Sequence, residues 1–308
     1  MKKILIGVPC YNEEKNIDNF FKKLVESLDK IIKFKFEILF VDDGSKDKTW
    51  KKILEQKKKN YKYPIKSIRF SRNFGKEIAI KCMLERAEDY DYFMTIDSDL
   101  QHPPSLIKSL IDKIYDDNNK KSIVLTRKTN KNSNIFRLIF TKIFYFIFNI
   151  FSEFKLISGL SDFGIIDNSA IKIINNFKNN IFVYKTSLQS TGLPIHLIEF
   201  SIDERAYGSS NFNFFRLIGY AFQTIYSYNS PFIIKFNFIN LFFVILLSIF
   251  LSIFSYIFLP HLLKNIFIFF IFLMIFWITV SIVTMTIYLV LLTKEIDRKP
   301  TYIVIEEL

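Results

Sequence analysis

Cysteine and histidine are scarce in this 308-residue chain, which has only two cysteines and three histidines. Cys10 and Cys82 are too few for a disulfide framework or a cysteine-rich zinc site, and they suit a reducing compartment. The histidines are dispersed along the chain. The sequence therefore predicts no metal site built from cysteine or histidine.

Several diagnostic motifs are also missing. The chain has no Gly-x-Gly-x-x-Gly segment and no Walker lysine loop, so neither a dinucleotide-dependent enzyme nor a P-loop NTPase is favoured. The formal net charge is +12, yet no nucleic-acid docking motif accompanies it. A basic surface of this kind is expected to attract anionic lipids rather than nucleic acid. No secretory signal is apparent, because the apolar run 4–8 is short and Pro9 ends it.

Charge is absent from two long stretches in the C-terminal part of the sequence. No charged residue lies between Lys235 and Lys264, nor between Lys264 and Lys294. Each stretch exceeds the roughly 20 apolar residues that a membrane-spanning helix needs. The sequence predicts two transmembrane helices at about 236–259 and 266–292. The alternative is a helical hairpin buried in a soluble core.

The basic residues around these stretches predict their orientation. Lys235 precedes the first stretch and Lys294, Arg298 and Lys299 end or follow the second, whereas the connecting turn carries only Lys264. The positive-inside rule puts both flanks in the cytoplasm. The sequence thus predicts an integral membrane protein, with a cytoplasmic domain at 1–230 and a transmembrane hairpin with a short cytoplasmic tail at 231–308.

Short apolar runs alternate with amphipathic stretches in the N-terminal part of the chain. The predicted strands are 4–8, 36–41, 65–70, 92–96 and 123–126, and the predicted helices are 17–32, 48–58, 76–87 and 105–115. Strands separated by helices indicate a mostly parallel, Rossmann-like α/β sheet covered on both faces. Ligands bind such sheets beyond the carboxyl ends of the strands.

Two apolar, aromatic segments do not fit this alternation. The segment 135–151 carries Arg137 and Lys142 and is too short to span a membrane comfortably, and the segment 212–228 is similar. Both are interpreted as amphipathic helices that lie at the membrane interface. The alternative for each is an ordinary helix that faces the core.

Polar residues follow each of the first four predicted strands, and the most informative group is Asp97-Ser98-Asp99, directly after the apolar run 92–96. Two carboxylates one residue apart can hold a divalent cation against a phosphate, since Mg²⁺ is bound by one or two carboxylates plus substrate phosphates. Asp43 can similarly accept a hydrogen bond from a ribose hydroxyl or a base N–H. The alternatives are a helix cap at Ser98 or Asp99 and simple turn chemistry at 42–45.

Four segments at these strand ends are similar to one known family. They are 8–14 (VPCYNEE), 41–49 (VDDGSKDKT), 72–76 (RNFGK) and 97–104 (DSDLQHPP). Together with weaker matches at 162–163 (DF) and 205–210 (RAYGSS), they make the chain resemble the family-2 glycosyltransferases of the GT-A fold. The resemblance is greatest to membrane-anchored polyprenyl-phosphate glycosyltransferases, namely dolichyl-phosphate mannose synthases and bactoprenol (undecaprenyl-phosphate) glucosyltransferases.

The resemblance implies roles for individual residues. Asp97, Ser98 and Asp99 would lie at the donor diphosphate. Asp99 and Gln101 would be ligands of Mg²⁺ or Mn²⁺, with Asp97 close by. Asp162 matches the position of a base or acceptor-positioning residue, so it joins Asp97 and Asp99 as a candidate catalytic residue. The remaining candidate contacts to the nucleotide-sugar are Pro9, Tyr11, Glu13, Val41, Asp43 and Arg127.

The same resemblance implies a site for the acceptor phosphate and shows two departures from the family. Arg205, Ser210 and Arg137 are the candidate phosphate contacts. Gly164 stands where the family commonly has arginine, and Asn211 stands where it commonly has lysine. Both missing cations would have faced phosphate. Either the acceptor phosphate is held differently, or the acceptor is not the usual one.

These features lead to one expected activity. The chain is expected to be an inverting, metal-dependent hexosyltransferase that moves a sugar from a UDP- or GDP-linked donor to polyprenyl phosphate. The reaction would occur at the cytoplasmic face of a bacterial inner membrane, in cell envelope glycan synthesis. Paired hairpins could also assemble into a homo-oligomer.

Two alternatives to this activity stay open. One is transfer to a different lipid or glycan acceptor, and the other is a non-catalytic, membrane-anchored scaffold that binds nucleotide-sugar. A polysaccharide synthase is disfavoured, because the chain has no Gln-x-x-Arg-Trp segment and two spans are too few for a polymer channel.

Overall fold

The computed structural model describes residues 1–59, 62–115, 123–129, 135–152, 154–177, 182–200, 224, 230–258, 264–296 and 300–308. The chain divides into two compact units. The first contains Met1–Tyr145, Phe154–Phe214 and Lys299–Leu308, and the second contains Phe146–Glu153 and Phe215–Arg298.

The first unit is built on one sheet. Its strands are β1 (Lys2–Cys10), β2 (Phe34–Asp42), β3 (Ile65–Phe70), β4 (Tyr92–Thr95), β5 (Ile123–Lys128), β6 (Leu160–Asp167), β7 (Ile195–Phe200) and β8 (Val304–Glu307). Among the described residues these eight strands follow the order β7-β5-β6-β4-β1-β2-β3-β8. Strands β4, β1, β2 and β3 are parallel neighbours, and so are β5 and β7. Strand β6 is antiparallel to β4 and β5, and β8 is antiparallel to β3.

Helices connect the strands of this sheet. They are α1 (Ile17–Leu28), α2 (Thr49–Lys58), α3 (Lys76–Glu85), α4 (Ile107–Tyr115), α5 (Ile135–Phe151), α6 (Asn168–Asn175) and α7 (Tyr184–Ser190). The predicted α/β fold with a mostly parallel sheet is confirmed. Helix α4 starts later than predicted because Pro104 opens a 3₁₀ turn, Pro104–Leu106, before it.

The hydrophobic core lies on both faces of the sheet. Ile4, Ile6 and Val8 of β1 belong to one cluster, together with side chains of α1 and α4. Leu5, the residue between them, belongs to the cluster on the other face, with side chains of α3 and α6. Alternate residues of a strand point to opposite faces, so a strand buried on both sides reads as a continuous apolar run. This continuous apolar run is the reason that β1 could be predicted from the sequence.

Strand β8 was not predicted from the sequence, which indicated only a short tail after the second apolar stretch. The backbone N–H of Ser67 donates to the carbonyl of Leu308 at 2.9 Å, and that of Leu308 donates to Ser67 at 2.9 Å. These bonds add the C-terminal residues to the edge of the sheet. The structure therefore assigns Lys299–Leu308 to the first unit, whereas the sequence had grouped them with the predicted hairpin.

The second unit consists mainly of two long helices, α8 (Ser230–Phe258) and α9 (Lys264–Ile296). Polar side chains link them, since Asn240 donates to Ser281 at 3.1 Å and Thr284 donates to Asn237 at 3.3 Å. Within the described residues, one segment, Phe270–Val290 of α9, is long and apolar enough to cross a membrane. The apolar stretch of α8, Lys235–Leu251, is shorter. By this criterion the two predicted spans are not both confirmed.

Of the two segments that were predicted to be interfacial helices, the structure describes mainly the first. The segment 135–151 is helical, as α5, and it exposes Ile143, Phe146 and Ile150. The segment 212–228 lies outside the described residues except for Thr224, which is buried. Location at a membrane interface stays a prediction for both.

Candidate active site

The antiparallel pairing of β4 and β6 brings two of the predicted catalytic carboxylates close together. Tyr92 is opposite Asp167, and Thr95 is opposite Gly164. Extending this register by two residues brings Asp162 opposite Asp97, at the carboxyl end of β4. These residues are far apart in the chain, and the strand pairing alone makes them neighbours.

Lys76, the first residue of α3, lies between these two carboxylates. Its ammonium is 2.7 Å from Oδ1 of Asp97 and 2.7 Å from Oδ2 of Asp162. The side chain of Asp162 is only 13% exposed, and that of Asp97 is 23% exposed. Burial raises the pKa of Asp97, but the charge of Lys76 outweighs it and holds that pKa below its ordinary value. Both carboxylates are therefore ionised at neutral pH.

A second lysine approaches Asp162 from α7. The ammonium of Lys185 lies 3.4 Å from Oδ1 of Asp162. Burial would raise the pKa of Asp162, but Lys185 and Lys76 lower it to well below its usual range. Beside this cluster, Glu77 accepts a hydrogen bond from the backbone N–H of Tyr184 at 2.7 Å. Burial, reinforced by the charge of Asp162, raises the pKa of Glu77 to about 7.

His102 connects the ends of β4 and β6 through both nitrogens of its ring. Nδ1 lies 3.3 Å from the backbone nitrogen of Asp97 and 3.4 Å from its Oδ2. Nε2 forms a hydrogen bond with the hydroxyl of Ser161 at 2.6 Å. The ring is buried and stacks on Phe163 with 5.2 Å between centroids. Burial lowers the pKa of His102, which keeps the ring neutral, and its contacts support a structural role rather than metal binding.

The remaining residues of the acidic motif occupy the loop after β4. Asp99 accepts the backbone N–H of Gln101 at 3.0 Å, and Leu100 between them has a positive φ of 63°. Ser98 is buried, whereas Asp99 and Gln101 are partly exposed. Within the residues that the structure describes, no cluster of three or more His, Cys, Asp or Glu side chains is suited to a metal ion.

A cleft of about 440 Å³ opens at the carboxyl ends of β2 and β3. Tyr11, the loop residues 44–46, residues 69–73 and Ile305 line it. Gly44 is required here, because its φ is +67° and a Cβ would lie 2.4 Å from the carbonyl carbon of Arg72. Of the predicted nucleotide contacts, Tyr11 lies in this wall.

Asp43 and its neighbour Asp42 are both buried. The carboxylate of Asp43 accepts the backbone N–H groups of Phe74 at 2.7 Å and Gly75 at 2.9 Å. Asp42 accepts the N–H of Ser45 at 3.0 Å and lies 3.4 Å from Nε of Arg69. Burial raises the pKa of Asp43 to about 6, although the two backbone donors oppose this. Asp43 thereby fixes the loop that connects β3 to α3, the helix that begins with Lys76.

The first predicted loop is fastened to the second. Asn12, at φ 55°, receives a hydrogen bond from the N–H of Lys46 at 2.9 Å and donates its own N–H to Ser45 at 2.9 Å. The N–H of Glu13 donates to Thr49 at 2.7 Å. Pro9 and Val41 are buried at the ends of their strands. The polar loops after β1 and β2 thus form one rigid wall.

The basic residues at the end of β5 point to different partners. Arg127 lies 4.0 Å from Glu199, its neighbour on β7. Lys128 is partly buried, and burial lowers its pKa, while the charges of Asp97 and Asp162 oppose this effect. Asp97 and Asp162 therefore act electrostatically on Lys128.

The candidate acceptor-phosphate residues lie wholly or partly outside the described part of the chain. Arg205 and Ser210, together with the departure at Asn211, lie outside the described residues. Arg137 lies in α5, but its side chain is outside the described part of the chain. At the other departure, Gly164, a Cβ would lie 2.5 Å from the carbonyl oxygen of Val124. No side chain can therefore occupy this position without a shift of the strands.

Sequence reasoning missed Lys76, Lys185 and Glu77 as members of this cluster. Lys76 ends the segment 72–76 and follows the third strand, so its location at the active edge of the sheet could have been inferred. No local pattern marks Lys185 or Glu77.

Comparison with known proteins identifies the class to which this site belongs. The model of the family described as Glycosyl transferase family 2 matches residues 5–172, which include β1 to β6. The chain belongs to glycosyltransferase family 2. It has the GT-A fold and the glycosyltransferase activity of that family.

Several curated relatives extend this finding. An uncharacterised glycosyltransferase of Synechocystis is 31% identical over 74% of this chain and 70% of its own length. A prophage bactoprenol glucosyl transferase homolog of Escherichia coli is 28% identical over 74% of this chain and 72% of its own. The dolichol-phosphate mannosyltransferase of Pyrococcus furiosus is 37% identical over 36% of this chain and 30% of its own.

A similar solved structure is that of glucosyl-3-phosphoglycerate synthase from Mycobacterium tuberculosis, in complex with Mn²⁺ and UDP-glucose. It superposes with a TM-score of 0.50 and 17% sequence identity, over 73% of this chain and 77% of that one. At this identity the similarity establishes the shared fold.

Proposed function

We propose that this protein transfers a sugar from a UDP- or GDP-linked donor to polyprenyl phosphate at the cytoplasmic face of a membrane, with inversion of the anomeric centre. The observation that carries this proposal is the meeting of Asp97, Lys76 and Asp162 at the carboxyl end of the sheet. A nucleotide-sized cleft opens at the same edge. Relatives named bactoprenol glucosyl transferase and dolichol-phosphate mannosyltransferase support the lipid acceptor.

The donor's diphosphate would meet the acidic loop after β4. Asp97 and Asp99 would hold a divalent cation there, since Mg²⁺ takes one or two carboxylates and obtains its other ligands from phosphates and water. Asp99 and Gln101 are partly exposed, which leaves both accessible to a cation from solution. Bound Mg²⁺ or Mn²⁺ would act as a Lewis acid that stabilises the negative charge on the departing nucleoside diphosphate.

Asp162 would act on the acceptor as an ionised group. Lys185 and Lys76 keep its pKa well below the usual range, although burial opposes them. A carboxylate held so firmly in its charged form is a weak base. A phosphomonoester has a second pKa of about 6 and is already largely ionised at neutral pH, so it needs no strong base. The structure therefore favours a positioning role for Asp162.

Three lysines would replace the cations that the family commonly has near the acceptor phosphate. Lys76 and Lys185 contact Asp162, and the pKa of Lys128 responds to Asp97 and Asp162. A second candidate function, transfer to another lipid or to a glycan, is favoured by Gly164, whose close neighbours exclude the usual arginine. The identity of the acceptor decides between these two functions.

We infer that α8 and α9 anchor the protein in a membrane. Phe272 and Phe276 of α9 are 66% and 61% exposed, and Phe242 and Phe243 of α8 are 60% and 59% exposed. Long helices that expose many large apolar side chains are unfavourable in water. The basic residues Lys235, Lys294, Arg298 and Lys299 support a cytoplasmic location for both flanks.

The course of the chain favours two crossings over one. Strands β7 and β8 belong to one sheet, and both long helices lie between them in the chain. A single crossing would put β8 on the opposite side of the bilayer from the sheet with which it pairs. An even number of crossings returns it to the same side. Assembly of several copies through paired hairpins stays a prediction.

The test is an assay of the purified full-length protein with UDP- and GDP-sugars and a short-chain polyprenyl phosphate. Sugar transfer should require the lipid phosphate and a divalent cation. Parallel reactions should contain dolichol or undecaprenol without phosphate, diacylglycerol, and an oligosaccharide. Transfer only to one of these other acceptors would overturn the polyprenyl phosphate proposal, and would identify the second candidate function.

A further inference from the structure

Strand β8 pairs with β3 in an irregular register. Arg69 is opposite Glu306, whereas the next residue, Phe70, is opposite Val304. Ile305 is therefore left without a partner on β3. This is the arrangement of a β-bulge, in which one extra residue bends the strand and redirects a side chain, often beside an active site.

The unpaired residue lies in the wall of the cleft. Ile305 lines the same space as Tyr11 and Arg72, and it is 53% exposed. Tyr11, a predicted nucleotide contact, is 41% exposed. The other residues that line the cleft come mainly from the polar segments 44–46 and 71–73. The bulge thus supplies an apolar side chain to a cleft that is otherwise largely polar.

Residues on both sides of Ile305 fix its position. Glu306 accepts hydrogen bonds from the indole of Trp50 at 3.2 Å and from Arg69 at 3.3 Å. Glu307 receives two hydrogen bonds from Arg86, each of 2.9 Å. The strand end is therefore held by side chains of α2, of β3 and of the residue that follows α3, rather than by backbone pairing alone.

The residues before Ile305 are held equally well. Tyr302 stacks on Phe70 with 4.9 Å between ring centroids, and its hydroxyl also bonds to Glu85. The backbone N–H of Ser71, which lines the cleft, donates to the carbonyl of Ile303 at 3.0 Å. A ligand in the cleft would meet a preformed surface, so little conformational entropy would be lost on binding.

We propose that Ile305 contacts the nucleobase of the donor, so that the segment after the two long helices completes the nucleotide site. This inference rests on the proposed function. A nucleobase has apolar faces that stack on aromatic rings and pack on aliphatic side chains. Tyr11 offers the ring and Ile305 the aliphatic surface, while the polar loop residues remain for the ribose and the edge of the base.

The test measures the dissociation constants of UDP, GDP, ADP and CDP for full-length protein carrying Ile305→Ala or Ile305→Asp. The alanine variant should weaken binding of the preferred nucleotide about fivefold, because three partly buried carbon atoms are lost. The aspartate variant should weaken it at least tenfold, because it also places a charged, hydrated carboxylate against the apolar face of the base. The KM for the nucleotide-sugar should rise in the same proportion, with kcat within about twofold of wild type.

Ile303→Asp is the matched control. Ile303 is 50% exposed on the same edge segment and does not line the cleft, so its nucleotide affinity should stay at the wild-type level. Wild-type binding by both Ile305 variants, with unchanged thermal unfolding, would overturn the inference and leave the proposed function intact. Failure of the wild-type protein to bind any of the nucleotides would overturn both. Because Ile305→Ala only shortens an exposed side chain, it keeps the test valid if the aspartate variant unfolds.

Discussion

The ammonium of Lys76 lies 2.7 Å from a carboxylate oxygen of Asp162. It connects the start of α3 to a residue on β6 that is 86 positions away in the chain. The same ammonium contacts Asp97, so one cation compensates two carboxylates that would otherwise repel each other. The carboxylates can therefore remain ionised and close together at the edge of the sheet.

Lys76→Met should reduce both activity and stability. Loss of the shared cation leaves Asp97 and Asp162 in mutual repulsion, which should lower kcat by at least about tenfold. The free energy of unfolding should fall by about 1 to 3 kcal/mol, less than for a fully buried pair, because the Lys76 side chain is 39% exposed. Steady-state kinetics and chemical denaturation measure the two effects. Lys51→Met, on the exposed surface of α2, is the control and should change neither quantity.

Asp99→Asn should remove metal-dependent turnover. If the cation stabilises the leaving nucleoside diphosphate by several kcal/mol, kcat should fall by about 100-fold or more. A chelator should abolish wild-type activity, and Mg²⁺ or Mn²⁺ should restore it. Asp112→Asn, an exposed change on α4, should retain wild-type kinetics. Full activity in the presence of a chelator would contradict the predicted role of the metal.

Gly164→Ala should destabilise the sheet. The new Cβ would lie 2.5 Å from the carbonyl oxygen of Val124, so β5 or β6 must shift. The expected loss is about 1 to 3 kcal/mol in the free energy of unfolding, the usual range for overpacking. Gly164→Arg should be worse still and should not improve binding of lipid phosphate. Gly192→Ala serves for comparison, because no atom lies within 4 Å of its Cβ, and only its φ of +70° opposes the change. Equal stability of the wild type and Gly164→Ala would show that the strands adapt freely.

Asp43 should make stability depend on pH between about 4 and 6. Burial raises its pKa from 3.8 to about 6 in the folded protein, so the folded state binds the proton more tightly than the unfolded state does. The contribution of this group is therefore present at low pH and is lost as pH rises through 6, by roughly 2 to 3 kcal/mol. Unfolding curves of wild type and Asp43→Asn, recorded from pH 4 to pH 7, should diverge over this window. If the stabilities of the two proteins change with pH in parallel, the raised pKa of Asp43 in the folded protein is contradicted.

The local part of the fold could be predicted from the sequence. Runs such as 4–8 and 65–70 are apolar and bounded by polar loops, and a strand buried on both faces needs only this pattern. The helices between them follow from amphipathic spacing, although their ends depend on individual turns such as the one that Pro104 opens. Apolar runs and amphipathic spacing are both properties of neighbouring residues. The alternation of strands and helices could therefore be predicted from the sequence.

Part of the candidate site could be predicted for the same reason. Asp97, Asp99 and Tyr11 follow strands, and the carboxyl ends of parallel strands meet at one edge. Asp162 was recognised only by resemblance, since nothing in its local sequence separates it from other carboxylates. The backbone contacts of Asp43 could not be predicted either, because they depend on a loop 31 residues further along the chain.

The sequence by itself determined the α/β framework, the acidic loop after β4 and the two uncharged stretches, because periodicity and charge are local properties. Only the tertiary structure decided that β6 runs antiparallel to β4, that Lys76 and Lys185 compensate Asp162, and that β8 returns to the edge of the sheet. These relationships join residues that are far apart in the chain. Pairing at that distance leaves no periodic signal, and it is set by packing and hydrogen bonding in the folded protein.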